Sequence, residues 1–152
     1  MPTSGRTWPT KTLSFLVPLV GIDLIIQYFA GLGTNAYAPA SGFTMNTDFG
    51  IYDLHWTNGY VLGILSIALV IIAVFSRQGR NVVPAVVSLA AVLVAAFAGM
   101  AFVNTTPNPP WATITMGLAF LVAFSTVIAM MFRLNMARRW PGSPVSPASS
   151  PA

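Results

Sequence analysis

The sequence predicts an all-α fold, a four-helix transmembrane bundle with a long extracytoplasmic capping loop. Three observations predict it. Four apolar runs of about twenty residues follow one another, each long enough as a helix to cross the roughly 30 Å hydrocarbon layer of a bilayer. Only 7% of the 152 residues are charged while 55% are hydrophobic, whereas a soluble domain carries about 25% charged residues. The basic residues are Arg6, Lys11, Arg77, Arg80, Arg133, Arg138 and Arg139, and they sit only at alternate ends of the runs.

The runs place helices over about 13–32, 56–76, 82–103 and 111–132. Barrel strands would be about ten residues long and would alternate polar with apolar, which these runs do not. Asp53 stands before the second run and Asn81 before the third, both residue types that cap free helical N–H groups. Pro84 falls near the start of the third run, where a missing N–H is tolerated. Asn108 followed by Pro109 reads as a cap and a first-turn proline for the fourth. Gly79 suits the tight connection between the second and third. Trp8 and Trp140 flank the bundle at one level, and Trp56 and Trp111 at the other, as headgroup-level rings do.

The basic residues fall in the N-terminal segment, the 77–81 connection and the C-terminal tail. The positive-inside rule then puts both termini in the cytoplasm of a multi-pass plasma-membrane protein. The loop 33–55 and the connection 104–111 face out. A 23-residue loop is long for a compact bundle, and its Tyr37, Phe43, Met45, Phe49 and Tyr52 suit a folded cap. The four helices form one domain over 1–140. The Pro-, Ser- and Ala-rich segment 141–152 reads as an irregular cytoplasmic tail.

Composition closes several functional classes. The pI near 10.1 arises from basic groups at run ends, not from a stripe on one element, so nucleic acid is not an expected partner. Without cysteine there is no disulfide, thiolate metal site, iron–sulfur ligation or thiol nucleophile. No serine–histidine motif, close carboxylate pair or phosphate-cradling glycine loop is present. No catalytic residue is assigned on these grounds.

Two places carry chemistry. Asp23 lies midway along the first run, and a carboxylate there must be neutral, paired or facing a wet interior. Gln27, one turn on, shares its face and is a candidate hydrogen-bond partner. The pair suits either a helix contact or a proton relay. His55 is the single histidine. It either makes a local hydrogen bond or serves as an axial ligand to haem b. Met100, Met116 and Met45 fall near its level as thioethers for an opposite ligand, and histidine–methionine ligation is a known haem pattern. Gly59, Gly63 and Gly99 offer flat space for a macrocycle, and Tyr60 stands beside them. A lone histidine with Asp48 and Asp53 is a thin set for zinc.

Small residues recur every four positions, as at Ala91, Ala95 and Gly99, at Thr113 and Gly117, and at Ser125 and Ala129. Such faces serve internal packing, a partner helix or the edge of a porphyrin. The expected partners are membrane lipid and a second copy, or a larger membrane complex. The leading functional expectation is a cytochrome-like haem protein in electron transfer. The alternatives are a non-catalytic accessory subunit and a small transporter or channel component.

Overall fold

The computed structural model describes residues 8–37, 49–77, 79–105 and 108–139. They form four helices, α1 (Trp8–Tyr37), α2 (Phe49–Phe75), α3 (Gly79–Asn104) and α4 (Pro110–Arg139). All four are long and apolar enough to cross a membrane, and the described residues contain no strand. At 1.5 Å per residue a 30-residue helix such as α1 or α4 runs about 45 Å, past the hydrocarbon on both sides.

The helices exceed the apolar runs because their end turns are polar yet still helical. Hydroxyls of α1 bond back to the preceding turn, Thr12 Oγ1 to the Trp8 carbonyl at 3.0 Å and Ser14 Oγ to the Thr10 carbonyl at 2.9 Å. The largest correction is at α2, which begins at Phe49 instead of Trp56. Asp53 therefore lies inside the helix and is not its cap. The expected loop 33–55 contracts to 38–48, and those residues, Met45 among them, lie outside the described ones. So do the 141–152 tail and Trp140.

Each helix packs antiparallel on its neighbours in sequence, and α1 closes the ring on α4; the diagonal pairs do not approach. The most extensive contacts join α1 to α2 and α3 to α4. The bundle thus consists of two tight hairpin-like pairs laid side by side. One end, the turn end, holds the start of α1, the finish of α4 and the α2–α3 turn. The other, the loop end, holds the two remaining connections.

Three local devices set these ends. In the α2–α3 turn it is Arg77, not Gly79, that adopts the left-handed conformation, with φ 53°. Its N–H donates to the Val74 carbonyl at 3.0 Å, a helix C-terminal closure usually given to glycine. Gly79 is already the first residue of α3. Pro84 sits inside α3 and cannot donate to the carbonyl four residues back. That carbonyl belongs to Arg80, and Arg133 Nη1 from α4 donates to it at 2.6 Å. Asn108 does not cap α4: with its amide nitrogen turned toward α3 it donates to the carbonyls of Phe102 at 3.2 Å and Thr105 at 3.1 Å. It closes the end of α3, and Pro109 supplies the first carbonyl of α4 to Ala112 N–H at 3.0 Å.

Packing is uneven along the bundle. Leu13, Val17, Val20, Leu69, Val127 and Met130 are fully buried and fill the turn-end half. Large apolar side chains such as Phe15, Phe29, Ile64, Phe97 and Ile114 point outward. That inversion is expected where hydrocarbon is the solvent and backbone hydrogen bonds are closed within each helix.

Candidate functional site

The loop-end half is hollow. Side chains from all four helices line a cavity of about 460 Å³ there, within the size range of small-molecule and cofactor sites. Its floor is Leu24, Leu62, Val92 and Ala123, one residue from each helix. Small residues open the space above: Gly31 and Gly59 on the α1/α2 pair, Ala95, Gly99 and Gly117 on the α3/α4 pair. The four-residue repeats of small residues in α3 and at the start of α4 therefore face the interior. The later repeat does not: Ser125 is exposed.

Two polar groups are built into the α1/α2 wall by glycines. At Gly31 a Cβ would stand 3.0 Å from His55 Cε1 and 3.4 Å from Nδ1, so the imidazole packs directly against the α1 backbone. The main-chain carbonyl of Gln27 lies beside the ring, while Nδ1 is buried and has no hydrogen-bond partner. At Gly59 a Cβ would come within 3.3 Å of Gln27 Nε2, so this glycine makes room for the Gln27 amide. His55 thus sits within α2, more than a turn beyond its first residue, and not at its start.

Asn58 holds this wall together. Its Nδ2 donates to Gln27 Oε1 at 3.0 Å and to the Asp23 main-chain carbonyl at 3.4 Å. The expected Asp23–Gln27 side-chain pair is replaced by this bridge from α2. Asp23 is 7% exposed, its carboxyl lies beside the Asn58 amide, and Oδ2 has no hydrogen-bond partner. It does not line the cavity. Its place is the α1/α2 interface, which accords with a helix contact.

Of the other expected site residues, Met100, Met116, Gly99, Gly59 and Tyr60 all line the same cavity as His55. Met116 Sδ stands 3.5 Å from where a Gly99 Cβ would be, tucked against α3, while Met100 is exposed. Gly63 lines nothing and has open space around it. The structure adds Gly31, which the sequence reading passed over, and the bridge from Asn58 to α1. Gly31 follows Gln27 at the same four-residue spacing used for the other faces, so that signal was present. Nothing local in the sequence tied Asn58 to α1.

Among the described residues no three His, Cys, Asp or Glu side chains stand together. A zinc-type centre held by three or four protein ligands is not built by them. Among the described residues no Lys, Arg, Asp or Glu lines the cavity. No protein-family model matches the chain, and comparison with curated proteins and with solved structures finds no match.

Proposed function

We propose that this membrane-spanning bundle binds haem b in its loop-end cavity, with His55 as the axial ligand, and serves one-electron transfer. The observation that carries the reading is His55 itself, which is among the residues that line a large apolar cavity and whose Nδ1 has no hydrogen-bond partner. The Gln27 carbonyl engages the same ring, and metal-bound histidines characteristically direct their second nitrogen to such an acceptor, which fixes tautomer and orientation.

Three further features support it. Met116 offers a thioether from the opposite helix pair, better buried than Met100. Gly99 and Gly117 keep that pair thin where a flat group needs width. At the mouth, Asn35, Tyr52 and Thr113 are neutral polar groups that would receive the propionates. When bound, haem supplies reversible one-electron chemistry. The chain's own part is to hold the ring nitrogen, exclude water with the floor residues, and surround the group with apolar side chains. Burial of that kind tunes reduction potential.

Protein produced with ample haem should show a Soret band, and His55→Ala should abolish or drastically shift it. Met116→Leu should alter the spectrum with less loss of pigment. A folded preparation that stays colourless would end this reading.

A further inference from the structure

Asp23 is the sole acidic residue of α1 and stands midway along it, buried against α2. Its supply of hydrogen bonds is short. The Asn58 amide lies beside the carboxyl, and Oδ2 has no hydrogen-bond partner. The same Asn58 Nδ2 donates to Gln27 Oε1 at 3.0 Å and to the Asp23 main-chain carbonyl at 3.4 Å. An amide nitrogen has two hydrogens, so three acceptors compete for them. An ionised carboxylate outbids a neutral carbonyl, and a proton on Asp23 ends that advantage. The charge on this carboxyl therefore sets how firmly Asn58 holds Gln27.

Gln27 leads to the cavity. It lines the wall, and its main-chain carbonyl lies beside the His55 ring. His55 packs on Gly31, one turn further along α1. From Asp23 to Gly31 is about 12 Å of helix rise. Charges this close, with protein and not electrolyte between them, are weakly screened. The other ionisable groups of the packed elements are few. α2 carries Tyr52, Asp53, His55 and Tyr60, and α1 itself adds Lys11, Tyr28 and Tyr37. Those of α4 are Arg133, Arg138 and Arg139, in its last turns. Among all of these only His55 adjoins the Asn58–Gln27 bridge in the hydrogen bonds and contacts described.

We propose that Asp23 is the proton-binding group of the redox site, an inference that rests on haem being held at His55. One electron entering the cavity is accompanied by a proton taken from water onto the Asp23 carboxylate, which becomes a carboxylic acid; reoxidation returns both. No other bond changes. The added negative charge is what strengthens the carboxylate's hold on its proton.

Redox titration of the full-length pigmented protein in nanodiscs, from mildly acid to mildly alkaline pH, tests it. The midpoint potential should fall as pH rises through one window. Asp23→Asn keeps an uncharged group in place, so its potential should stay at the wild-type acid-limb value with the slope cut severalfold. Asp23→Glu should restore the slope. Reduction of the wild-type protein should also bring up the infrared stretch of a protonated carboxyl, moved by isotope-labelled aspartate and retained in Asp53→Asn. That readout stands even where Asp23→Asn fails to fold. A pH-independent wild-type potential, or a slope unchanged in Asp23→Asn, would overturn the proposal while leaving the haem reading intact; the second result would give the proton to His55 or to the propionates. A folded but colourless protein removes the haem reading itself and this one with it, so the two failures are told apart by the Soret band.

Discussion

At the scale of single residues, two side chains of α1 and α2 depend on missing atoms elsewhere. Gly31 gives His55 its seat, and Gly59 gives Gln27 its own. A Cβ 3.0 Å from the imidazole forces the ring or the helix to shift. Gly31→Ala is therefore expected to cut pigment content several-fold. Gly63→Ala, with nothing within 4 Å of its Cβ position, should leave it unchanged. The ratio of pigment to protein absorbance checks both. Asn58 is the other sensitive point, because one amide nitrogen serves two carbonyl oxygens of α1. Asn58→Leu removes both bonds and strands Gln27 Oε1, an effect of about 1–3 kcal/mol. Unfolding in mixed detergent micelles should show it as a lower midpoint, with no matching loss for a lipid-facing Leu→Ala control.

The sequence was informative about these residues in proportion to how local their roles are. His55, Met116 and Gly99 were legible because residue type and depth within a run suffice to bring them to one level. The Asp23–Gln27 pair was misread because four-residue spacing makes a helix face its own neighbour first, whereas a second helix supplied the better donor. Asn58 has no short-range mark: its role exists only once α1 and α2 are in register.

At the scale of elements, α3 and α4 are joined by a defect and its repair. Pro84 leaves the Arg80 carbonyl without its amide, and Arg133 supplies a charged donor from the next helix. Arg133→Met should then destabilise the protein by about 1 kcal/mol. In a Pro84→Ala background the helix amide is restored, and the same substitution should matter much less. A double-mutant cycle measures the difference directly. Equal losses in both backgrounds would show that the guanidinium acts elsewhere. The helix bounds themselves were the weakest part of the sequence reading. Apolar runs report where lipid is met, while hydrogen bonding carries each helix beyond that zone. Arg77 and Asn108 show a related limit, since turn chemistry read from residue type chose Gly79 and assigned Asn108 to the wrong helix.

At the scale of the whole molecule, the all-α four-helix class was legible from hydrophobic length, because few architectures satisfy backbone groups in hydrocarbon, while the expected capping loop falls on residues outside the described ones. What remained hidden was the unevenness of packing. Branched aliphatic residues fill the turn-end half and small ones clear the loop-end half, a contrast spread over four helices that no single run displays. The basic residues of the described chain lie toward the turn end, and the positive-inside rule predicts a cytoplasmic position for that end and an outer-leaflet position for the cavity. Single cysteines introduced at Gly79 and Thr105 should label from opposite compartments, with Gly79→Cys reached only from the cytoplasmic side. Labelling of both from one side would undo the orientation and the crossing count together.

The larger free volume thus belongs to one end of the four-helix body, about 460 Å³ against about 120 Å³ near the other. Hydrostatic compression acts on internal voids and scarcely on close-packed interiors. A squeeze applied equally from every direction should therefore be answered unequally, with the two helix pairs pinching shut at their tips while their bases stay as they are.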